Sequence, residues 1–346
     1  MSTPLSSESP HVATAHSLAA AGRHEEALQA LVRGTNAGDI AAMSELGHRL
    51  LVGRNAPPLP QDGLRMIQTA AAKGEPEALH RIAALTAGGA FFAQNWAGAF
   101  QLLAQAAAAG SFVAREQLVA LSSELPADAS WQARASSVDV AQWLSAPTGE
   151  NVIADGRVVK IPQLVPDAVC AWLIKRSQGR LERARVYDAI NGIETIDQTR
   201  SNSAATVDLA TVDVVQFLVQ ARMGVACAMP WEQMESPTIL HYAPSEEVRE
   251  HYDFIDPKSP NYERVLREQG QRMITFLLYL NDDYEGGTTD FPEIGVSHKG
   301  RRGEGLYFKN AHANGRPDTS MIHAGRPPLS GEKWIVSQFI RNVPMR

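Results

Sequence analysis

The chain has 346 residues, enough for two domains, and its 44% apolar and 20% charged residues are those of an ordinary globular protein. A net charge of −6 with no long run of Lys or Arg argues against a nucleic-acid or anionic-membrane partner. The start (1–10) lacks an apolar signal segment, no run of about 18 apolar residues occurs, and Cys170 and Cys227 are too few for a disulfide framework, so a cytoplasmic protein with reduced thiols is expected.

The first part of the chain is rich in Ala and Leu, and it repeats. Gly38, Gly74 and Gly110 stand 36 residues apart, and each is followed by the same template: Ala42 and Leu46, Ala78 and Ile82, Ala114 and Leu118. Such a period, with two apolar-periodic segments per unit, predicts stacked helix pairs. The alanines let helices approach closely, and each glycine suits the left-handed conformation that ends a helix. Over roughly residues 11–122 the pattern resembles Sel1-like repeats, relatives of tetratricopeptide repeats. It departs at Phe91, Phe92 and Asn95, where the inter-helix loop of that family is usually more polar. A repeat solenoid presents a concave surface that holds a peptide or protein; a plain alanine-rich bundle without a binding role is the simpler alternative. His11, His16, His24, His48 and His80 have no ligand spacing and read as surface or packing residues. The segment 138–144 reads as a closing helix, and Ala146-Pro147-Thr148-Gly149 as the linker. The helical repeat domain is thus placed at residues 1–146 and a second domain at 150–346.

In the second domain, Asp155-Gly156 marks a hairpin between short strands, and Asp167 is expected to cap a helix running to about Leu181. Residues 187–208 read as irregular, and 212–223 as a helix packed on the outside of a sheet. Strands are expected at 238–242, 273–280, 305–308 and 334–341. The charged stretch 254–270 reads as a long loop, a candidate lid. His298, beside Lys299-Gly300-Arg301-Arg302, reads as a solvated turn, and His312 as part of another loop.

The chemistry is concentrated between His251 and Lys333. His251-Tyr252-Asp253 alone reads most simply as a surface turn. On a strand, however, residues two apart share a face, so His251 and Asp253 can grip one metal, with His323 from a facing strand on the opposite wall of a barrel as third ligand. Two histidines and one carboxylate on one side of an octahedron are the donor set of non-haem Fe(II) oxygenases. Lys333, ten residues after His323, supplies a fixed positive charge for a co-substrate carboxylate.

The surrounding residues carry a further resemblance. Tyr242 stands nine residues before His251, and Tyr279-Leu280-Asn281, Gly286-Gly287, Thr289 and Phe291-Pro292 follow before His323 and Lys333. In these positions the chain resembles the prolyl 4-hydroxylase-like family of Fe(II)/2-oxoglutarate dioxygenases. It departs at Ser245, where a glycine is usual, at Val248, where a tyrosine is frequent, and at Phe339, where a tryptophan is common. The resemblance implies an α+β multidomain protein, with the helical solenoid followed by a double-stranded β-helix (jelly-roll) oxygenase domain with flanking helices. It implies Fe(2+) held by His251, Asp253 and His323, and 2-oxoglutarate held by Lys333 and Tyr242. O2 enters as second co-substrate and L-ascorbate as reductant. The Thr199-Arg200-Ser201-Asn202 stretch is expected near the mouth of the site. The implied reaction hydroxylates an unactivated C–H bond, foremost of a prolyl residue in a peptide or protein that the repeats could hold, releasing succinate and CO2. No nucleic-acid or membrane partner is expected. The same chemistry on a free amino acid or small molecule is one alternative, and a non-catalytic repeat-based scaffold another.

Overall fold

A computed structural model describes residues 9–184, 186–188, 193–195 and 200–345. It divides into two compact units, one of 1–140 with 209–218, the other of 141–208 with 219–346.

The first unit is helical. Its helices are α1 (Pro10–Ala20), α2 (His24–Asn36), α3 (Ile40–Val52), α4 (Pro60–Ala72), α5 (Pro76–Gly88), α6 (Trp96–Ala109), α7 (Phe112–Leu121) and α8 (Trp131–Ser137). Gly38, Gly74 and Gly110 all take positive φ, as the sequence pattern predicts. The residue after each caps the next helix. Asp39 accepts from the N–H groups of Ala41 and Ala42, Glu75 from Glu77 and Ala78, and Ser111 from Ala114. Stop and start are thus encoded in one dipeptide per repeat. Buried Ala and Leu fill the space between the helices, among them Ala27, Leu31, Ala42 and Leu46.

The expected closing helix at 138–144 is present but short, as the four-residue α9 (Val140–Trp143), and it is preceded by α8, which was not expected. Ser130 caps α8, and the buried Arg134 side chain donates to Ser122 Oγ and to the carbonyls of Pro126 and Ala127. A buried guanidinium whose two Nη atoms donate to a hydroxyl and to carbonyls fixes this helix, which apolar spacing could not reveal. Residues 209–218 also group with the helical unit instead of the second domain. There the Val214 N–H donates to the buried Gln117 Oε1 (3.0 Å).

The second unit opens with the expected hairpin, β1 (Glu150–Asn151) against β2 (Val158–Ile161). Helix α10 (Asp167–Ser177) starts one residue earlier than expected: Pro166 occupies the cap position, while Asp167 sits in the first turn, where its charge complements the helix dipole. A single 3-10 turn carries the chain only to Arg180. β3 (Glu182–Arg183) precedes the stretch read as irregular, into which β4 (Val186–Asp188) runs and which contains β5 (Ile193–Thr195) and β6 (Ser203–Thr206); Thr199 lies outside the described residues. Then come α11 (Val214–Ala226), β7 (Thr238–Tyr242), β8 (Val248–His251), α12 (Tyr262–Gln269) and β9 (Arg272–Tyr279). The stretch 254–270, expected as a loop, therefore carries a helix of its own. The remaining strands are β10 (Glu285–Gly286), β11 (Thr289–Phe291), β12 (Val296–His298), β13 (Gly305–Lys309), β14 (His323–Gly325), β15 (Pro328–Ser330) and β16 (Lys333–Arg341).

These form an eight-stranded sheet in the order β1-β2-β13-β9-β16-β7-β6-β3 and a four-stranded sheet β12-β11-β14-β8, with the small pairs β10-β15 and β4-β5. Leu240, Leu277, Leu306, Phe308 and Ile335 of the large sheet share one core with Val248 and Phe291 of the small one. That arrangement matches the β-sheet-rich oxygenase architecture expected from the sequence, with helices flanking it.

Close helix approach in the first unit is testable at Gly47 of α3. A Cβ there would lie 2.8 Å from both Gly63 O and Met66 Cβ of α4. Gly47→Val gains only about 0.4 kcal/mol of helix propensity, whereas overpacking costs about 1–3 kcal/mol. Urea unfolding of the variant is expected to show that net loss.

Candidate active site

His251 ends β8 and His323 begins β14, and the two are direct cross-strand partners. Their imidazole centroids lie 4.3 Å apart. This corrects the expectation of opposite barrel walls: the ligands sit on adjacent antiparallel strands of one sheet. Asp253 lies two residues beyond the end of β8 and is not part of its ladder. Its carboxylate nevertheless turns to both rings, with Oδ1 3.4 Å from His251 Nε2 and Oδ2 3.2 Å from His323 Nε2.

The two imidazoles are oriented alike. His251 Nδ1 lies 2.8 Å from the Arg249 carbonyl, and His323 Nδ1 lies 3.1 Å from the Met321 carbonyl. A carbonyl can only accept, so each Nδ1 carries a proton, and each Nε2 is the nitrogen turned to Asp253 and available to a metal. Two imidazole nitrogens and one carboxylate oxygen within 4.8 Å of one another form a ready metal-binding set. The second ring nitrogen of each histidine is already held by a backbone acceptor, as metal-ligating histidines require. Asp253 and His323 are buried, while His251 is one-third exposed and marks the open side. Burial opposes ionisation of Asp253, but the flanking imidazoles, His323 foremost, hold its carboxyl well below the usual range.

Lys333, the first residue of β16, lies in the same cavity and pairs in register with Tyr242 of β7. It is 1% exposed. Its Nζ stands 5.3 Å from the Tyr242 ring centroid and 5.6 Å from that of Tyr279. Burial pushes its ammonium down to about 7, with Asp290 pulling weakly the other way. Arg326, between β14 and β15, is committed elsewhere, to Asp290 (2.8 Å) and Glu250 (3.2 Å). Desolvation pushes the Tyr242 hydroxyl up to about 12, which keeps it a hydrogen-bond donor.

The motif residues around Lys333 now acquire physical roles. Asn281 Oδ1 accepts the Trp334 N–H, and its Nδ2 donates to the Glu332 carbonyl, fixing the backbone on both sides of Lys333. The Tyr279 hydroxyl meets Thr289 Oγ1 at 2.9 Å, joining the two sheets beneath the lysine. Gly287 has φ +65°, and a Cβ there would fall 2.7 Å from the Tyr284 ring. Ser245 adopts φ +73°, so the chain keeps the glycine-like turn without the glycine. Val248 is buried in the core shared by the sheets, and Phe339 lies under the Arg272 guanidinium at 3.8 Å.

Arg200 lines the cavity, as expected of its stretch, whereas Ser201 is a structural residue that accepts the Glu247 N–H. His298 is not in a solvated turn: it belongs to β12 and its Nε2 meets the buried Glu304 at 2.6 Å. Neighbouring basic residues masked that pairing in the sequence. Sequence reading also missed Thr275, whose hydroxyl donates to Asp253 Oδ2 (2.7 Å). The available signal was one hydroxyl inside the apolar run of β9.

Residues 237–341 match the 2OG-Fe(II) oxygenase superfamily and form a domain of that kind. The chain is 28% identical over 202 residues to "Probable prolyl 4-hydroxylase 7" of Arabidopsis thaliana, covering 53% of this chain and 62% of the relative. It is 30% identical over 193 residues to "Probable prolyl 4-hydroxylase 6" of the same plant, covering 50% and 65%. To the prolyl 4-hydroxylase subunit alpha-1 of Rattus norvegicus it is 28% identical over 184 residues, covering 53% and 34%. The chain thus spans less than two thirds of the length of these relatives. Among solved structures it is similar to the viral collagen prolyl hydroxylase of Paramecium Bursaria Chlorella virus-1 in a 2OG complex, at 24% identity and TM-score 0.42, covering 55% of this chain and 99% of that one. The helical region has a neighbour in a Sel1 repeat protein from Oxalobacter formigenes, at 27% identity and TM-score 0.26, covering 28% and 73%.

If the three side chains act as one donor set, removing any one leaves two. Anaerobic titration with Fe(II), or with Co(II) as a redox-quiet probe, is expected to show loss of the tight site in His251→Ala, Asp253→Ala and His323→Ala alike.

Proposed function

We propose that this protein is an Fe(II)- and 2-oxoglutarate-dependent dioxygenase that hydroxylates prolyl residues in a peptide or protein. The observation that carries the reading is the convergence of His251, Asp253 and His323 in one cavity with the buried Lys333. The donor chemistry fits the metal: nitrogen, nitrogen and carboxylate oxygen, with both imidazoles held in the tautomer that frees Nε2. Fe(II), 2-oxoglutarate and O2, when bound, would supply oxidative decarboxylation to succinate and CO2, one oxygen atom going to succinate and the other into a C–H bond.

The chain's own residues do the rest. His251, Asp253 and His323 hold the metal and leave the other side of it free. Lys333 takes the far carboxylate of the co-substrate, and the protonated Tyr242 hydroxyl donates a second hydrogen bond. Leu240, Leu277 and Ile335 line the cavity and exclude water from the reacting groups. Tyr252, 39% exposed between two of the ligands and stacked on Phe254 at 4.6 Å, offers an aromatic surface for a prolyl ring at the mouth. In this reading L-ascorbate acts as reductant. The cytoplasm is the proposed compartment, since both cysteines are free. The helical repeats hold the substrate chain beyond the reacting residue, so that binding energy remote from the reacting carbon contributes to catalysis.

The decisive assay is 2-oxoglutarate decarboxylation with and without proline-containing peptides, read together with a mass gain of one oxygen on the peptide. Long peptides are expected to exceed short ones in kcat/KM. Turnover supported only by free amino acids would favour the small-molecule alternative.

Lys333 gives a second, separate test. Truncating one partner of a buried charge pair costs about 2–5 kcal/mol, so Lys333→Ala should raise the 2-oxoglutarate KM by about thirty-fold or more while metal still binds. The wild-type protein should also show a pH dependence of known sign. Its free Lys333 loses its proton near pH 7, whereas a bound carboxylate holds that proton. Co-substrate affinity is therefore flat below about pH 7 and falls about tenfold per unit above it, until the bound-state value is reached. An equally steep fall in Lys333→Ala would assign the titration to another group.

A further inference from the structure

Asp253 lies past the end of β8 and His323 stands at the very start of β14, so ladder hydrogen bonds alone do not orient either side chain. Each is instead tethered to one connection, the segment from Asn310 to Met321.

The first tether runs through Thr275, which is 1% exposed on β9. A buried hydroxyl is costly without partners, and Thr275 has two. Asn310 Nδ2 donates to its Oγ1 (2.8 Å), which leaves its single hydrogen for Asp253 Oδ2 (2.7 Å). Asn310 is itself pinned at the backbone, its N–H on the Met273 carbonyl (2.8 Å) and its carbonyl on the Asp318 N–H (3.0 Å). The second tether is the Met321 carbonyl, the acceptor that sets the ring of His323. The far end of the connection is gripped by Arg157, from the hairpin loop before β2. Its Nη1 donates to Asp318 Oδ2 (2.8 Å) and to Ser320 Oγ (2.5 Å), while its Nε is held by Asp155 (2.8 Å).

We propose that the connection 310–321, clamped by Arg157, is a single positioning element that orients Asp253 through Thr275 and His323 through the Met321 carbonyl. Thr275, Asn310 and Arg157 are then positioning residues, which act through Asp253 and His323. The inference rests on the metal-site reading given above. Groups that orient metal ligands from behind typically change metal affinity by about 10–100-fold when removed.

The test uses full-length protein and anaerobic Co(II) titration, with the melting temperature of the metal-free protein measured alongside. Thr275→Val keeps the shape and removes the hydroxyl; it should bind about 10–100-fold more weakly, while Thr275→Ser, which restores the hydroxyl, should stay within about threefold of wild type. Arg157→Met should weaken binding by about tenfold or more. A merely structural role would lower the metal-free melting temperature and leave the affinity of the folded protein intact. Wild-type affinity in Thr275→Val, or in folded Arg157→Met, overturns the proposal; should Arg157→Met not fold, the Thr275 pair decides it. Asp253→Ala separates the two readings: if it too binds Co(II) as tightly as wild type, the metal site itself is wrongly assigned.

Discussion

The structure of the site depends on one constraint, a carboxylate buried where water cannot satisfy it. An ionised group in such a place persists only if charge and hydrogen bonds surround it. Asp253 meets that condition through three groups from three parts of the chain: His251 beside it, His323 across the strand pair, and the Thr275 hydroxyl from the other sheet. Satisfying the carboxylate and assembling a metal site are therefore the same act. The pairing register of β8 and β14 brings the imidazoles together, and the core between the sheets brings the hydroxyl.

Lys333 poses the complementary problem. It is an equally buried cation, reached from the large sheet, and the aromatic faces of Tyr242 and Tyr279 stand beside its ammonium where a carboxylate would normally be. Asn281 and the surrounding turns fix the backbone that carries it, so it cannot swing out to water. Folding energy is thus spent on holding a basic group in an apolar place, and the fall of its proton affinity is the measure of that strain. A core selected for stability alone would place an apolar side chain here.

Much of this was legible in the sequence, for a definable reason. Residue types that carry chemistry, His251, Asp253, His323, Lys333 and Tyr242, stand at fixed offsets within or beside single strands. The helical repeats were equally plain, because a glycine followed by a capping residue recurs with the period of the fold. What escaped was set by tertiary register. The 72-residue gap between His251 and His323 suggested facing walls. The intervening β9 and β13 pass into the other sheet, so the chain can return to the neighbouring strand. Thr275, Asn310 and Arg157 have no periodic relation to the ligands; only the pairing of β9, β13 and β2 brings them into line. Arg134 and Glu304, which no sequence pattern singles out, are buried partners of carbonyls and of His298.

The two buried charges also explain each other. Asp253 and Lys333 line one cavity from different sheets, yet they form no ion pair: the carboxylate leans on imidazoles and the ammonium on tyrosine rings. Had they met, each would have neutralised the other and the cavity would have had no use for a ligand. Kept apart, they leave a negative end that favours a metal dication and a positive end that favours a carboxylate. The spacing enforced by the two sheets is thus what keeps the site incomplete until both ligands are present.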